Sequence, residues 1–135
     1  MKKRYIIIPA LILSLGLFIG CSSKKLPEGF NEVQVVDNAK RFIENINNKN
    51  YWNCYSQFSE IMKKSMTEDS LKTTFDPILE SLGEFKEFKK VSLSNATSFG
   101  VDYAVCIITC QYEKGEATYT VSLDKEMLVG GLYIK

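Results

Sequence analysis

The stretch "FDPILESLGEFKEF", Phe75 to Phe88, contains the point at which the chain changes period. Up to Gly83, Leu71, Phe75, Ile78, Leu79 and Leu82 recur at steps of three and four, which places apolar side chains on one face of a helix. Beyond Gly83 the apolar positions alternate, the period of a strand with one buried face. Gly83 suits the C-terminal cap because glycine takes a left-handed conformation at no steric cost. Thr67 reads as the N-cap of this helix, with Glu68 and Asp69 in the first turn, where the helix dipole favours negative charge. Pro77 lies inside it and lacks a backbone N–H, which predicts a kink or a break near Asp76.

Two more helices precede this one. In "EVQVVDNAKRFIENIN", Glu32 to Asn47, the residues Val35, Val36, Ala39, Phe42, Ile43 and Ile46 form one apolar stripe. "NNKN" at 47–50 has the composition of a turn. Tyr51, Cys54, Tyr55, Phe58, Ile61 and Met62 then predict a second, shorter helix with a strongly aromatic face. Downstream of Gly83 the pattern predicts four strands at about 84–93, 99–114, 116–124 and 127–134. Three helices followed by a four-stranded antiparallel sheet make the fold class α+β.

"YEKGEATY" is a hairpin signal, read with Lys114 and Gly115 at the turn. That register sets Cys110 opposite Tyr119, Ile108 opposite Val121 and Cys106 opposite Leu123 on one face, which must then be covered. The other face brings Thr109 and Gln111 against Thr120 and Thr118, a polar match. Its cost is Glu113 directly opposite Glu116, a like-charge pair. Val105 and Ile107 share the outer face, as a dimer patch or as scattered surface apolars.

The amino terminus carries an address. Lys2, Lys3 and Arg4 precede an apolar run from Tyr5 to Gly20, the order of a secretory signal. The run falls short of the roughly 20 apolar residues that a spanning helix needs, and Pro9 and Gly16 interrupt it. It ends in "FIGC", which resembles the lipobox of bacterial lipoproteins, with Phe18 where leucine is usual. The resemblance implies cleavage before Cys21 and lipidation of that cysteine, which leaves the protein on the extracytoplasmic face of the cell membrane. An uncleaved anchor, or ordinary cleavage with Cys21 a free thiol, are the alternatives. One acyl chain holds a protein only marginally, whereas two or three hold it durably. "SSKKLPEG" reads as a polar spacer, in which Lys24 and Lys25 serve solubility or touch anionic headgroups. The domain plan is a signal peptide at 1–20, a lipidated N-terminus and flexible spacer at 21–30, and one α+β domain at 31–135.

Composition excludes several functions. The chain has 17 basic and 16 acidic side chains, and removing residues 1–20 takes three basic ones, leaving 14 against 16 and a net charge of −2. Such a balance gives no basic footprint for nucleic acid. Histidine is absent, which removes the commonest general base and metal ligand at neutral pH. Metal binding would need thiolates and carboxylates converging without it, and no cofactor motif is present. Cys106 and Cys110 lie on one strand about 13 Å apart at roughly 3.3 Å per residue, too far to bond each other. Either can pair with Cys54 if the second helix crosses the sheet; otherwise all three are small buried thiols.

The order of elements, with Tyr51 after a polar turn, Phe58, the Leu71 helix, "LGEF" at Leu82 to Phe85 and "GGLYI" at Gly130 to Ile134, resembles a bacterial family known as domain of unknown function 3887. The resemblance covers nearly the whole chain after the spacer. It implies the cone-shaped fold of nuclear transport factor 2, in which helices pack into the concave side of a curved sheet. Relatives occur beside α/β-hydrolase domains or alone behind lipoprotein signals; no G-x-S-x-G elbow is present here, so hydrolase chemistry does not carry over.

A cone can enclose a pocket, and Tyr51, Trp52, Tyr55, Phe58, Phe75, Tyr103 and Tyr119 can line one or form a plain core. Three readings follow. One is a non-enzymatic domain binding a protein partner or a small apolar ligand through the cone mouth or the Val105 and Ile107 face. Another is an enzyme using Asp102 and a tyrosine, which requires those groups to converge in a closed pocket. The last is a structural lipoprotein that forms a homodimer through its sheet.

Overall fold

Asn31 starts the first helix by accepting the Gln34 N–H on its Oδ1 at 3.1 Å, which satisfies one of the N–H groups that a helix start leaves unpaired. The computed structural model describes residues 26–135, so the signal at 1–20 and Cys21 lie outside the described residues. Helix α1 runs Glu32–Asn47, as the apolar stripe predicts, and Val35, Ala39, Phe42, Ile43 and Ile46 are its buried side. Leu26 and Phe30 pack against the core, so the last part of the expected spacer is docked on the domain.

The predicted second helix is two helices, α2 (Tyr51–Ser56) and α3 (Glu60–Ser65), which makes four in the described residues. Between them Phe58 forms a parallel bridge with Val129. The Val129 N–H donates to the Gln57 carbonyl at 2.7 Å and the Ser59 N–H to the Val129 carbonyl at 2.9 Å. Ser59 then caps α3 by accepting the Met62 N–H on its hydroxyl. Apolar spacing alone continues across this gap, because both helices and the bridge place Cys54, Phe58 and Met62 in the same core.

Helix α4 spans Glu68–Leu82 without a break at Pro77. Pro77 and Thr73, whose carbonyl loses its partner, are both exposed, so water can satisfy that carbonyl. Thr67 caps the start by accepting the Ser70 N–H. Gly83 ends the helix at φ +76°, and a side chain there would collide with Glu113.

The sheet is an antiparallel meander, β1 (Phe85–Ser98), β2 (Val101–Tyr112), β3 (Gly115–Leu123) and β4 (Val129–Ile134), in that spatial order. The helices cover the face that carries Ala104, Cys106, Ile108, Cys110 and Tyr112 from β2, with Ala117, Tyr119, Val121 and Leu123 from β3. The β2–β3 register differs by two residues from the predicted one. Cys110 faces Ala117, Ile108 faces Tyr119 and Cys106 faces Val121, with Glu113 and Lys114 as the turn. A shift of two keeps every side chain on its predicted face, because the strand period is two. The α4–β1 junction fixes the turn: the Glu113 N–H donates to the Glu84 carbonyl and the Lys114 N–H to the Leu82 carbonyl. Glu113 thereby leaves its position opposite Glu116, and the Thr109 and Thr118 hydroxyls meet at 3.2 Å.

Candidate functional site

A cleft of about 640 Å³ opens where α1 and α4 end over the β1–β2 edge, lined by Glu44, Asn47, Lys49, Leu79, Glu80, Glu84, Phe85 and Tyr112 among others. Its position follows from the helix ends: α1 stops at Asn47 and α4 at Leu82, leaving this corner of the sheet without a helix above it. Tyr112 forms the inner wall. Its hydroxyl donates to Asn47 Oδ1 at 2.6 Å and lies 2.7 Å from the Tyr119 hydroxyl. A hydroxyl has one proton, so Tyr119 must be the donor to Tyr112. The Asn47 Nδ2 group is buried without a hydrogen-bond partner.

This network ends in the core. Tyr119 is fully buried, and the Phe75 ring stacks on it with centroids 6.5 Å apart. Burial, the largest cause, holds both phenols well above their ordinary range, so they are neutral hydrogen-bonding groups at any physiological pH. On the rim, Glu44, Glu80 and Glu84 supply three carboxylates, and the Lys49 ammonium lies 3.8 Å from Asp76. Asp76 also accepts the Tyr51 hydroxyl at 2.6 Å and has Lys72 at 3.7 Å. The Tyr51 hydrogen bond, followed by the two ammonium groups, holds the Asp76 carboxyl below its usual range. Lys49 is engaged by Asp76 and Glu84 by Lys86 at 3.4 Å, which leaves Glu44 and Glu80 as the cleft's negative charge beside the apolar Leu79 and Phe85.

The aromatics expected around a pocket are dispersed. Phe58, Phe75 and Tyr119 are core, and Tyr51 is buried with its hydroxyl on Asp76. Trp52 is 60% exposed, with Tyr55 beside it and Lys63 over the Tyr55 ring. Tyr103 is buried on the opposite face of the sheet, where its ring occupies the space a side chain at Gly130 would need. The pocket residue that apolar and aromatic spacing did not single out is Tyr112, although strand alternation with Cys106, Ile108 and Cys110 already turns it inward.

Three other expectations are corrected. Val105, between Ser94 of β1 and Ser122 of β3, is buried at 3% exposure and Ile107 is only partly exposed; the pair is no open interface patch. Cys54 does not bond Cys106 or Cys110: all three thiols are free and buried. The Cys54 Sγ points instead to the Phe42 carbonyl at 3.9 Å, between α1 and α2. Burial pushes each thiol up to about 12, so none is an activated nucleophile. Asp102 is exposed near the β1–β2 turn, where it accepts the Thr97 hydroxyl at 2.9 Å, and it does not converge with a tyrosine in a closed pocket. Among the described residues, no three His, Cys, Asp or Glu side chains are placed to hold a metal ion.

Four helices laid on one face of a four-stranded antiparallel meander, with a cleft at one corner, define an α+β domain. The chain belongs to the family described as protein of unknown function (DUF3887), which matches residues 39–132. It is similar to a solved structure, an NMR structure of a protein from Ruminococcus gnavus ATCC 29149, with 34% identity and a TM-score of 0.71 over 81% of this chain and 95% of that one. No curated protein matches the sequence.

Proposed function

We propose that this protein is an extracytoplasmic lipoprotein, tethered through Cys21, whose domain binds a small ligand without catalysing a reaction. The observation that carries the binding reading is the cleft between the ends of α1 and α4, with carboxylates on its rim and Tyr112 and Asn47 among its lining. Carboxylates beside apolar side chains suit an organic cation, whose charge meets Glu44 and Glu80 while its carbon body covers Leu79 and Phe85. The tether reading rests on the basic and apolar order of residues 2–20 followed by Gly20-Cys21. No helix among the described residues is long and apolar enough to cross a membrane. The helices on one face of the sheet, with register irregularities in the β1–β2 and β3–β4 pairings that bend strands, fit a cone of the nuclear transport factor 2 kind.

The test is a titration of the isotope-labelled chain with arginine, choline and spermidine, with acetate as the control, followed by backbone amide NMR. Binding at the cleft shifts amides of Asn47, Leu79, Gly83 and Tyr112 together, and Glu44→Gln with Glu80→Gln weakens it. Saturable shifts confined to some other surface, or none with any of the three cations, refute the assignment.

A further inference from the structure

The β1–β2 hairpin ends in a turn of unusual chemistry. Ser98 pairs with Val101, so Phe99 and Gly100 are the two turn residues, and both have positive φ, +49° and +75°. This turn class favours Asn-Gly, because most side chains resist the left-handed conformation. Here a phenylalanine takes it and leaves its ring 84% exposed, with Val101 38% exposed beside it. In water the position is unfavourable twice, in backbone strain and in exposed apolar surface.

The segment that carries this turn is itself uncharged. From Val91 to Val101 the sequence "VSLSNATSFGV" has no charged residue, in a chain that is 24% charged. Edge strands facing water are usually guarded by charges. The first charged residue past the turn, Asp102, is tied to Thr97.

Position in the fold supplies the occupant. Strand β2 pairs with β3 only from Ala104 onward, whereas β1 and β2 remain paired through Ser98 and Val101. Three rungs and the turn therefore project past β3, a reach of about 10 Å at 3.3 Å per residue. The β3–β4 turn is at that same end of the sheet. So is the incoming chain: a side chain at Gly29 would lie 3.9 Å from Lys125 Cε in that turn. Between Cys21 and Leu26 there are five residue steps, which span at most about 17 Å.

We infer that the Phe99-Gly100 tip is a second membrane contact: Phe99 and Val101 enter the interfacial layer of the bilayer next to the lipid anchor and fix the orientation of the domain. This inference rests on the tethering of Cys21. Asp102 limits insertion to the turn itself, so the contact is shallow, and it assists an anchor that is already in place.

The full chain, produced in bacterial membranes and reconstituted in phosphatidylcholine and phosphatidylglycerol vesicles, tests it. Trp52→Phe removes the native tryptophan, and Phe99→Trp added to it then reports the tip; Lys114→Trp on the same background, in the turn at the opposite end of the sheet, is the control. Emission from the tip variant is expected to shift to the blue and to fall when doxyl-labelled lipid replaces ordinary lipid, while aqueous iodide quenches it less than it quenches the control. Tip emission that stays red, is quenched by iodide as strongly as the control and ignores doxyl lipid overturns the inference. Intact mass on the same sample separates the two claims: an acylated chain with a water-exposed tip overturns the inference and leaves the anchor standing, and a non-acylated chain overturns the anchor and with it a tip contact made beside that anchor.

Discussion

Replacing Tyr112 by phenylalanine removes one oxygen atom and disturbs two hydrogen bonds that differ in consequence. Tyr119 is the donor to Tyr112 and is fully buried, so without that partner its O–H has no water to turn to. A buried donor left unpaired costs about 1–3 kcal/mol. Asn47 is only partly buried, so its Oδ1 can recover a water and the loss there is about 1 kcal/mol or less. Tyr112→Phe should therefore destabilise by about 2–3 kcal/mol. Tyr119→Phe leaves Tyr112 still donating to Asn47 and should cost about 1 kcal/mol. In the double variant no hydroxyl is stranded, so its cost should fall below the sum of the two by about 1 kcal/mol. Urea unfolding reads this directly: with a slope of about 2 kcal/mol per molar for a small domain, Tyr112→Phe moves the midpoint down by about 1 M or slightly more. Strict additivity, or a Tyr112→Phe change below about 0.5 kcal/mol, would refute the donor order assigned to the network.

The three core thiols give a pH dependence with a defined sign. Unfolded thiols titrate near 9 and the folded ones near 12, so the folded chain holds more protons between those values and stability falls as pH rises through that window, with no loss from the thiols below it. At pH 8 a thiol-reactive disulfide reagent should modify Cys54, Cys106 and Cys110 only after denaturant is added; rapid modification of the native domain would contradict their burial. Phe58→Ala should cost about 3–5 kcal/mol, since it empties a core position and loosens the bridge to Val129, and it is read by thermal or urea unfolding. Gly130→Ala should cost about 1–3 kcal/mol because the Tyr103 ring must move, and Tyr103→Ala should relieve most of that penalty in a double variant. Phe99→Asn should raise stability by about 0.5–1 kcal/mol, as asparagine tolerates the left-handed turn better; a loss of stability would mean that the Phe99 ring supports the fold.

Much of the architecture was legible because two periods dominate it. The α1 stripe, the Thr67 and Gly83 caps of α4 and the inward set of β2 and β3 follow from spacing and from single capping residues. What escaped depends on contacts between distant segments. The gap between α2 and α3 is set by Val129, far downstream on the last strand, and spacing alone runs across it. The hairpin register is set by the carbonyls of Leu82 and Glu84, which pull the turn back, yet parity kept the core assignment intact. The cleft was less legible. Aromatic richness pointed to Trp52 and Tyr103, which occupy different surfaces, whereas the wall is made by Tyr112 and Asn47 and the mouth by where two helices happen to end.

The proposed surface location of the domain and the proposed membrane contact of its hairpin tip both require a tether at Cys21, and intact mass of the protein extracted from membranes tests that tether most directly, beside a Cys21→Ala form. A mass that corresponds to a chain beginning at Cys21 with acyl chains added, and lost in the variant, is the predicted result. An unprocessed mass, or a chain beginning at Cys21 with no acyl addition, would contradict it.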